Sequence, residues 1–316
     1  MGIIPKVPWI WMDGKFVAWD DAQVHVTAHG LHYGTGVFEG IRCYETQDGP
    51  AVFRLRDHLA RFFNSAALYE LAIPYSAAAL HDACLELVSR NRLGNAYIRP
   101  VAFFGAHSLD LWPRGCPVHV AMVGWPRGEY LGKESLERGV RIKVSPVRRF
   151  HSSVIPTTGK ACGQYVNSVL AVQEALRAGF DEALMLNQEG RVAEGSGENL
   201  FIVKDGTVIT NDADASILPG ITRASVLEIA RDLGLPVEVR PMEISEVTAA
   251  DEAFFTGTAV EVTPIREIDG HTIGSGRRGP LTEKIQKVFF DAVHGRAARY
   301  RGWLSYAAAP ASAADR

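Results

Sequence analysis

No two of the four cysteines, Cys43, Cys84, Cys116 and Cys162, form a C-x-x-C pair. That spacing argues against a zinc site and a disulfide framework, so no metal is expected and the thiols read as buried or incidental ones in a reducing cytoplasm. Charge of one sign is not in excess either. With 33 Lys and Arg against 36 Asp and Glu, the net charge is -3. This leaves no broad basic field for nucleic acid or an anionic membrane. No apolar run approaches the roughly 20 residues that span a bilayer. The opening MGIIPKVPWIWMDGK lacks a lysine-led apolar segment of the signal-peptide kind, and Lys6 stands where myristoylation wants Ser or Thr. What is present is ordinary: 316 residues, 47% hydrophobic and 22% charged, enough for about two globular domains.

Strand and helix signals alternate without strict βαβ order, which predicts an α+β fold. Asp13-Gly14 between 9–12 and 15–18, and Asp48-Gly49 between 37–44 and 51–55, are hairpin signals. Leu59, Phe62, Phe63, Ala66, Leu68 and Leu71 trace one helical face, and Ser76 is placed to cap a second helix running to about Arg90. Strands fit 96–104 and 118–125. The stretch from Trp125 to Lys133 is rich in turn formers and aperiodic, so an interdomain loop is placed at 125–136. It divides a small N-terminal α+β domain, 1–124, from a larger one, 137–306. In the larger domain strands fit 140–144, 182–186, 199–203, 208–210, 237–240 and 253–256, and helices fit 167–178, 222–233 and 282–294. The alanine-rich tail 307–316 reads as disordered.

Lys160 is set apart. Between Arg149 and Glu174 no other Lys, Arg, Asp or Glu occurs, and Gly159, Ala161 and Gly163 surround it. Gly159-Lys160 is not a P-loop, because Val154 and Ala161 occupy the positions that need Gly and Ser or Thr. Gly195-Ser-Gly197 is not a dinucleotide loop, because Leu200 replaces the third glycine and a strand follows. It is not a serine-hydrolase elbow either, since Glu194 precedes it. Two readings of Lys160 stand. One is a surface residue. The other is an amine in a poorly hydrated pocket, where the ammonium form is disfavoured and the nitrogen becomes nucleophilic toward carbonyls such as pyridoxal phosphate. That chemistry needs a phosphate anchor and an acid for the ring nitrogen. Leu218-Pro-Gly-Ile-Thr-Arg223 at a helix start offers the first, or is a plain turn. Glu194, between two strands and beside glycines, offers the second, or is a solvated loop acid.

Taken together, the motifs resemble those of fold-type IV pyridoxal-phosphate enzymes, most closely the branched-chain amino acid aminotransferases. The resemblance runs from Met12-Asp-Gly-Lys15 to Gly302-Trp-Leu304. It is carried by His32-Tyr-Gly-Thr-Gly-Val-Phe-Glu-Gly-Ile-Arg42, Ala96-Tyr-Ile-Arg-Pro100, Glu194-Gly-Ser-Gly-Glu-Asn-Leu-Phe201, Leu218-Pro-Gly-Ile-Thr-Arg223 and Gly257-Thr-Ala-Val-Glu-Val-Thr-Pro264. It implies a two-domain fold, with a small α/β domain and a larger domain built on a barrel-like β core. It also implies transfer of the amino group of leucine, isoleucine or valine to 2-oxoglutarate with pyridoxal 5'-phosphate as cofactor, by ping-pong kinetics, in a homodimer or hexamer. Lys160 would be the Schiff-base lysine and proton carrier, Glu194 the partner of the ring nitrogen, and Tyr165 the donor to the ring phenolate oxygen. Arg61, Thr222, Thr258 and the Ile221 N–H would hold the phosphate, with Leu218, Gly220 and Gly257 beside them. Phe38, Gly40, Tyr97, Arg99, Tyr130, Thr258 and Ala259 would line the substrate, with Tyr33 from a neighbouring subunit. Arg99 and phenolic hydroxyls would take the second carboxylate of glutamate, and Phe38 the apolar chain.

Some positions depart from the common pattern. Arg127 stands where many relatives have an aromatic, Thr256 precedes Gly257, and Gly159 and Gln164 flank the lysine segment. These leave open a relative of other specificity, toward (R)-amines or D-amino acids.

Overall fold

The computed structural model of the chain describes residues 4–128 and 133–308. Tyr130 and the tail beyond residue 308 lie outside the described residues. The chain divides into two compact units. The first comprises Met1–Gly128, Gly159–Gly163 and Asp291–Arg316, and the second Glu129–Thr158 and Gln164–Phe290. This division and the one read from sequence both break near residue 128. They differ in that Lys160 and the C-terminal segment group with the first unit.

The first unit holds a wholly antiparallel sheet. Among the described residues its order is Leu304–Tyr306, Gly49–Phe53, Ile41–Thr46, Ala96–Phe104, Val118–Pro126, Trp9–Met12, Lys15–Ala18, with Gly36–Phe38 also paired to Ala96–Phe104. Asp13 and Gly14 both have positive φ, as a two-residue hairpin turn requires. The helix Leu55–Ala67 buries Leu55, Leu59, Phe62 and Ala66. Ser76 caps the helix Ala77–Arg90, its hydroxyl accepting the Ala79 N–H at 3.1 Å.

One expected strand, 37–44, is two: Gly36–Phe38 and Ile41–Thr46. Both pair with Ala96–Phe104 in one continuous register, and the gap at Glu39-Gly40 lies opposite Pro100, which accepts the Glu39 N–H but has no N–H to return. A Cβ on Gly40 would collide with the Tyr97 hydroxyl oxygen.

The second unit is built on a mixed sheet ordered Val192–Gly195, Glu182–Leu186, Val140–Val144, Glu261–Ile268, Glu252–Gly257, Asn199–Lys204, Thr207–Thr210, Val237–Val239 among the described residues. Ile142, Leu184, Val192, Ile202, Phe255 and Ile265 belong to its buried core. Two of these strands, Val192–Gly195 and Glu261–Ile268, were not foreseen. The first is buried throughout and so shows no alternation. The second contains Pro264, a strand breaker in the interior of a sheet. Here the pairing of this strand with Val140–Val144 begins only at Ile265, one residue past the proline. The strand expected over 118–125 runs one residue further, to Pro126, which was expected in the loop, and Lys133–Arg138 is a short helix.

Candidate active site

In the first unit, Lys160 is fixed by its backbone. Its carbonyl accepts the Phe38 N–H at 3.0 Å, and its own N–H donates to the Ser65 hydroxyl at 2.9 Å. The flanking Cys162 and Gly163 N–H groups donate to Gly36 and Gly34 carbonyls, and Ala161 bridges to Val37. The segment is in effect one more strand on Gly36–Phe38. Gly34 permits this approach, because a Cβ there would meet Gly163 Cα at 2.7 Å. The Lys160 ammonium lies 5.0 Å from the Phe38 ring centroid. Burial, then the positive Arg61 and Arg99, lower its pKa from 10.5 to about 8, against the opposing pull of Glu39.

Arg61, on the helix Leu55–Ala67, grips Glu39 as a fork: Nε to Oε1 at 2.6 Å and Nη2 to Oε2 at 2.9 Å. The His58 Nδ1, three residues earlier on that helix, lies 2.7 Å from Oε2, and the Gly40 N–H adds a fourth contact. Glu39 is fully buried, which by itself would raise its pKa. Arg61 and His58 outweigh this and hold it well below the carboxylate range. Burial lowers the pKa of His58, so the ring is neutral at pH 7 and its Nδ1–H donates to Glu39. Neither Glu39 nor His58 was read as part of the site. The legible signal was the i, i+3 spacing of His58 and Arg61, which puts both on one helix face.

Tyr97 and Arg99 share the face of Ala96–Phe104 two residues apart, as strand parity requires. The Arg99 guanidinium sits 4.6 Å from the Phe38 ring centroid and donates to the Tyr97 hydroxyl at 3.3 Å. Its Nε is buried without a hydrogen-bond partner among the described residues. Phe38, Gly40, Tyr97, Arg99 and Lys160 are thus linked within one unit. Tyr33 is exposed, with its hydroxyl donating to the Leu109 carbonyl at 2.8 Å.

In the second unit, Glu194 is not in a loop. It lies in the strand Val192–Gly195, where the register with Glu182–Leu186 shifts, a bulge of the sort that re-aims a side chain. It is buried, and three donors hold it: Arg149 Nη2 at 3.0 Å from Oε1, Asn199 Nδ2 at 3.1 Å from Oε2, and the Leu218 N–H shared by both oxygens. Asn199 also donates to the Leu218 carbonyl at 2.9 Å, tying the Leu218-Pro-Gly-Ile-Thr turn to Glu194. A Cβ on Gly220 would collide with Asn199 Oδ1, so a larger residue there would displace the Asn199 amide. Arg149 and Asn199 are further residues that the sequence reading did not single out.

Ile221 begins the helix Ile221–Asp232, with Thr222 buried in its first turn and no side-chain cap from Gly220. Tyr165 begins the helix Tyr165–Arg177. Gly257 ends the strand Glu252–Gly257, and Thr258 and Ala259 form the turn that follows. Thr256 is buried and its hydroxyl has no partner among the described residues. Gln164 donates to the Pro156 carbonyl at 2.8 Å.

These donor sets suit pyridoxal 5'-phosphate: a lysine of lowered pKa, a buried carboxylate paired with an arginine, and a helix start with no side-chain cap.

The amino-transferase class IV family model matches residues 36–268. A branched-chain-amino-acid aminotransferase of Pseudomonas aeruginosa is 49% identical over 294 residues, 93% of this chain and 95% of the relative. The solved structure of a branched-chain amino acid aminotransferase of T.th. with pyridoxamine 5'-phosphate is 47% identical, covers 96% of this chain and 99% of its own, and superposes with a TM-score of 0.93. The same enzyme complexed with N-(5'-phosphopyridoxyl)-L-glutamate gives a TM-score of 0.91 at 45% identity, covering 96% and 99%. The two-domain α+β architecture is therefore that of fold type IV, and the chain belongs to the amino-transferase class IV family, as an enzyme of its branched-chain-amino-acid aminotransferase group.

Proposed function

We propose that the enzyme uses pyridoxal 5'-phosphate, held through Lys160, to move the amino group of L-leucine, L-isoleucine or L-valine reversibly to 2-oxoglutarate. The observation that carries this reading is Lys160 itself, pinned by its backbone hydrogen bonds and lowered to about 8 among two arginines. A substantial part of such an amine is neutral near pH 7 to 8, and a neutral amine attacks a carbonyl.

When bound, pyridoxal 5'-phosphate supplies an electron sink for the substrate Cα and a carrier for its nitrogen. The chain's residues supply the rest. Lys160 Nζ accepts the Cα proton and returns it. Glu194, kept anionic by Arg149, favours a proton on the ring nitrogen. Tyr165 donates to the ring phenolate oxygen. Arg61, Thr222, Thr258 and the Ile221 N–H hold the phosphate, with Leu218, Gly220 and Gly257 shaping that cradle. Arg99 and Tyr97 bind the second carboxylate of glutamate, while Phe38 and the aromatic faces receive the branched chain; Gly40 and Ala259 leave room for it. Tyr130 joins this wall in the same reading. Amino acid and 2-oxo acid use one lysine in turn, so kinetics are ping-pong.

A homo-oligomer, dimer or hexamer, is part of the proposal. Leu31, Leu111 and Trp112 are 66%, 83% and 68% exposed near Tyr33 in sequence or through Leu109, an apolar surface suited to a second copy. No described helix is long and apolar enough to cross a membrane, and a cytoplasmic enzyme fits.

Borohydride reduction of the yellow holoenzyme, followed by peptide mass analysis, tests the linkage: the label is expected on Lys160. A donor panel of L-Leu, L-Ile and L-Val against D-Ala and (R)-1-phenylethylamine tests the substrate. Negligible turnover with all three L-donors would overturn the assignment.

A further inference from the structure

Tyr97 carries a second guanidinium. Arg99 lies 5.4 Å from its ring centroid, and Arg127 lies 5.2 Å from the same centroid. Arg127 follows the strand Val118–Pro126, two residues beyond Trp125, and Trp125 is the register partner of Tyr97. Strand parity therefore puts Trp125 and Arg127 on the Tyr97 side. The Arg127 N–H donates to the Asn95 carbonyl at 3.1 Å, and Arg42 Nη1 donates to the Gly128 carbonyl at 3.2 Å. Both sides of this position are thus tied to the sheet. The Trp125 ring also packs on Tyr97, with centroids 5.1 Å apart.

Two permanent cations on one ring repel each other, and cation–π attraction offsets only part of that cost. Arg99 has no carboxylate partner among the described residues, and its Nε is an unpartnered buried donor. The Arg99 side of this wall is therefore incomplete without an anion. An apolar branched chain cannot supply one; a side-chain carboxylate can, and guanidinium groups bind it with charge-assisted hydrogen bonds.

We propose that Arg127 is a specificity-determining residue: with Arg99 it forms a two-guanidinium wall around Tyr97 that selects amino and 2-oxo acids bearing a second carboxylate. This rests on the transaminase reading above and deepens it. The enzyme gains on its dicarboxylate partner relative to its apolar one, and the gain is electrostatic, so it falls as salt rises.

The test compares wild-type holoenzyme with Arg127→Leu and Arg127→Lys in single half-reactions with L-glutamate and L-leucine. The ratio of the two kcat/KM values, glutamate over leucine, is expected to fall about fivefold in Arg127→Leu, with Arg127→Lys keeping part of it and the wild-type ratio declining between low and high salt. Calorimetric titration with glutarate and with 4-methylpentanoate gives a readout apart from turnover: Arg127→Leu is expected to weaken glutarate selectively. A ratio unchanged within about twofold, with equal effects on the two ligands, overturns the role of Arg127 while leaving the transaminase intact. Wild-type protein that turns over neither donor overturns the transaminase reading itself.

Discussion

Each unit buries a glutamate against an arginine, and the two pairs end up with different neighbourhoods. Glu39 meets Arg61, with a neutral His58 and the Gly40 N–H completing its shell. Lys160 and Arg99 add further positive charge around that pair. Glu194 meets Arg149, and its other donors, Asn199 and the Leu218 amide, are neutral. In the first neighbourhood burial acts first and an excess of cations over anions adds to it, and the group that yields is the one able to lose a proton, Lys160. In the second, one arginine faces the carboxylate, and Asn199 and the Leu218 amide are neutral donors. The same ion pair therefore serves a lysine that must become neutral in one unit and an acid that must stay ionised in the other.

The largest effect that sharpens this contrast comes from deleting the yielding group. Lys160→Ala is expected to reduce transamination by about 10⁴-fold or more with the circular dichroism spectrum unchanged; residual turnover near wild type would break it. Next come the carboxylates. Glu39→Gln is expected to destabilise the protein by about 3–5 kcal/mol, because the buried Arg61 fork loses its carboxylate. Glu194→Gln is expected to cost about 10²-fold or more in kcat with a smaller loss of stability, since the amide still accepts from Leu218. Urea unfolding and half-reaction kinetics on the two variants separate these outcomes. Equal stability losses and equal kinetic losses would erase the distinction between the pairs.

Two pH profiles probe the charges directly. Capture of pyridoxal 5'-phosphate by cofactor-stripped protein is expected to speed up as pH rises through about 8, where Lys160 loses its proton. Arg61→Gln removes a cation that lowers that pKa, so its midpoint moves up. For Glu39, the folded pKa lies below the unfolded value near 4.5. Its contribution to stability is therefore complete above that value and is lost as pH falls below it. The stability difference between wild type and Glu39→Gln is expected to shrink on acidification from pH 5 to about 3. The smallest effect is expected from Asn199→Ala, about 1–2 kcal/mol in thermal stability, because it leaves the Leu218 carbonyl unpaired.

Much of this is legible in the chain. The isolation of Lys160, the Ser76 cap and the helix after Gly220 follow from local chemistry, and the ordered motifs by themselves point to the family. The break at Glu39-Gly40 was not legible, because it is set by Pro100 on the neighbouring strand, which is distant in sequence. The strand holding Glu194 lacked alternation because both its faces are buried, so the residue read as a loop acid. Glu39 was not singled out; its meaning lies in the spacing of His58 and Arg61 on a helix whose side chains grip it. Long-range partners of this kind leave no local periodicity to read.

The lysine's address is written in backbone register. The contacts that place it run through amides and carbonyls of Gly34, Gly36 and Phe38 and through one serine hydroxyl. Side chains at Ala161 and Cys162 can therefore drift over evolutionary time without displacing the amine, provided the new residue fits. An insertion or deletion of a single residue between Gly159 and Gly163 is another matter: it would slip the strand by one step and turn the amine to the opposite face. This stretch should tolerate replacement far better than change of length.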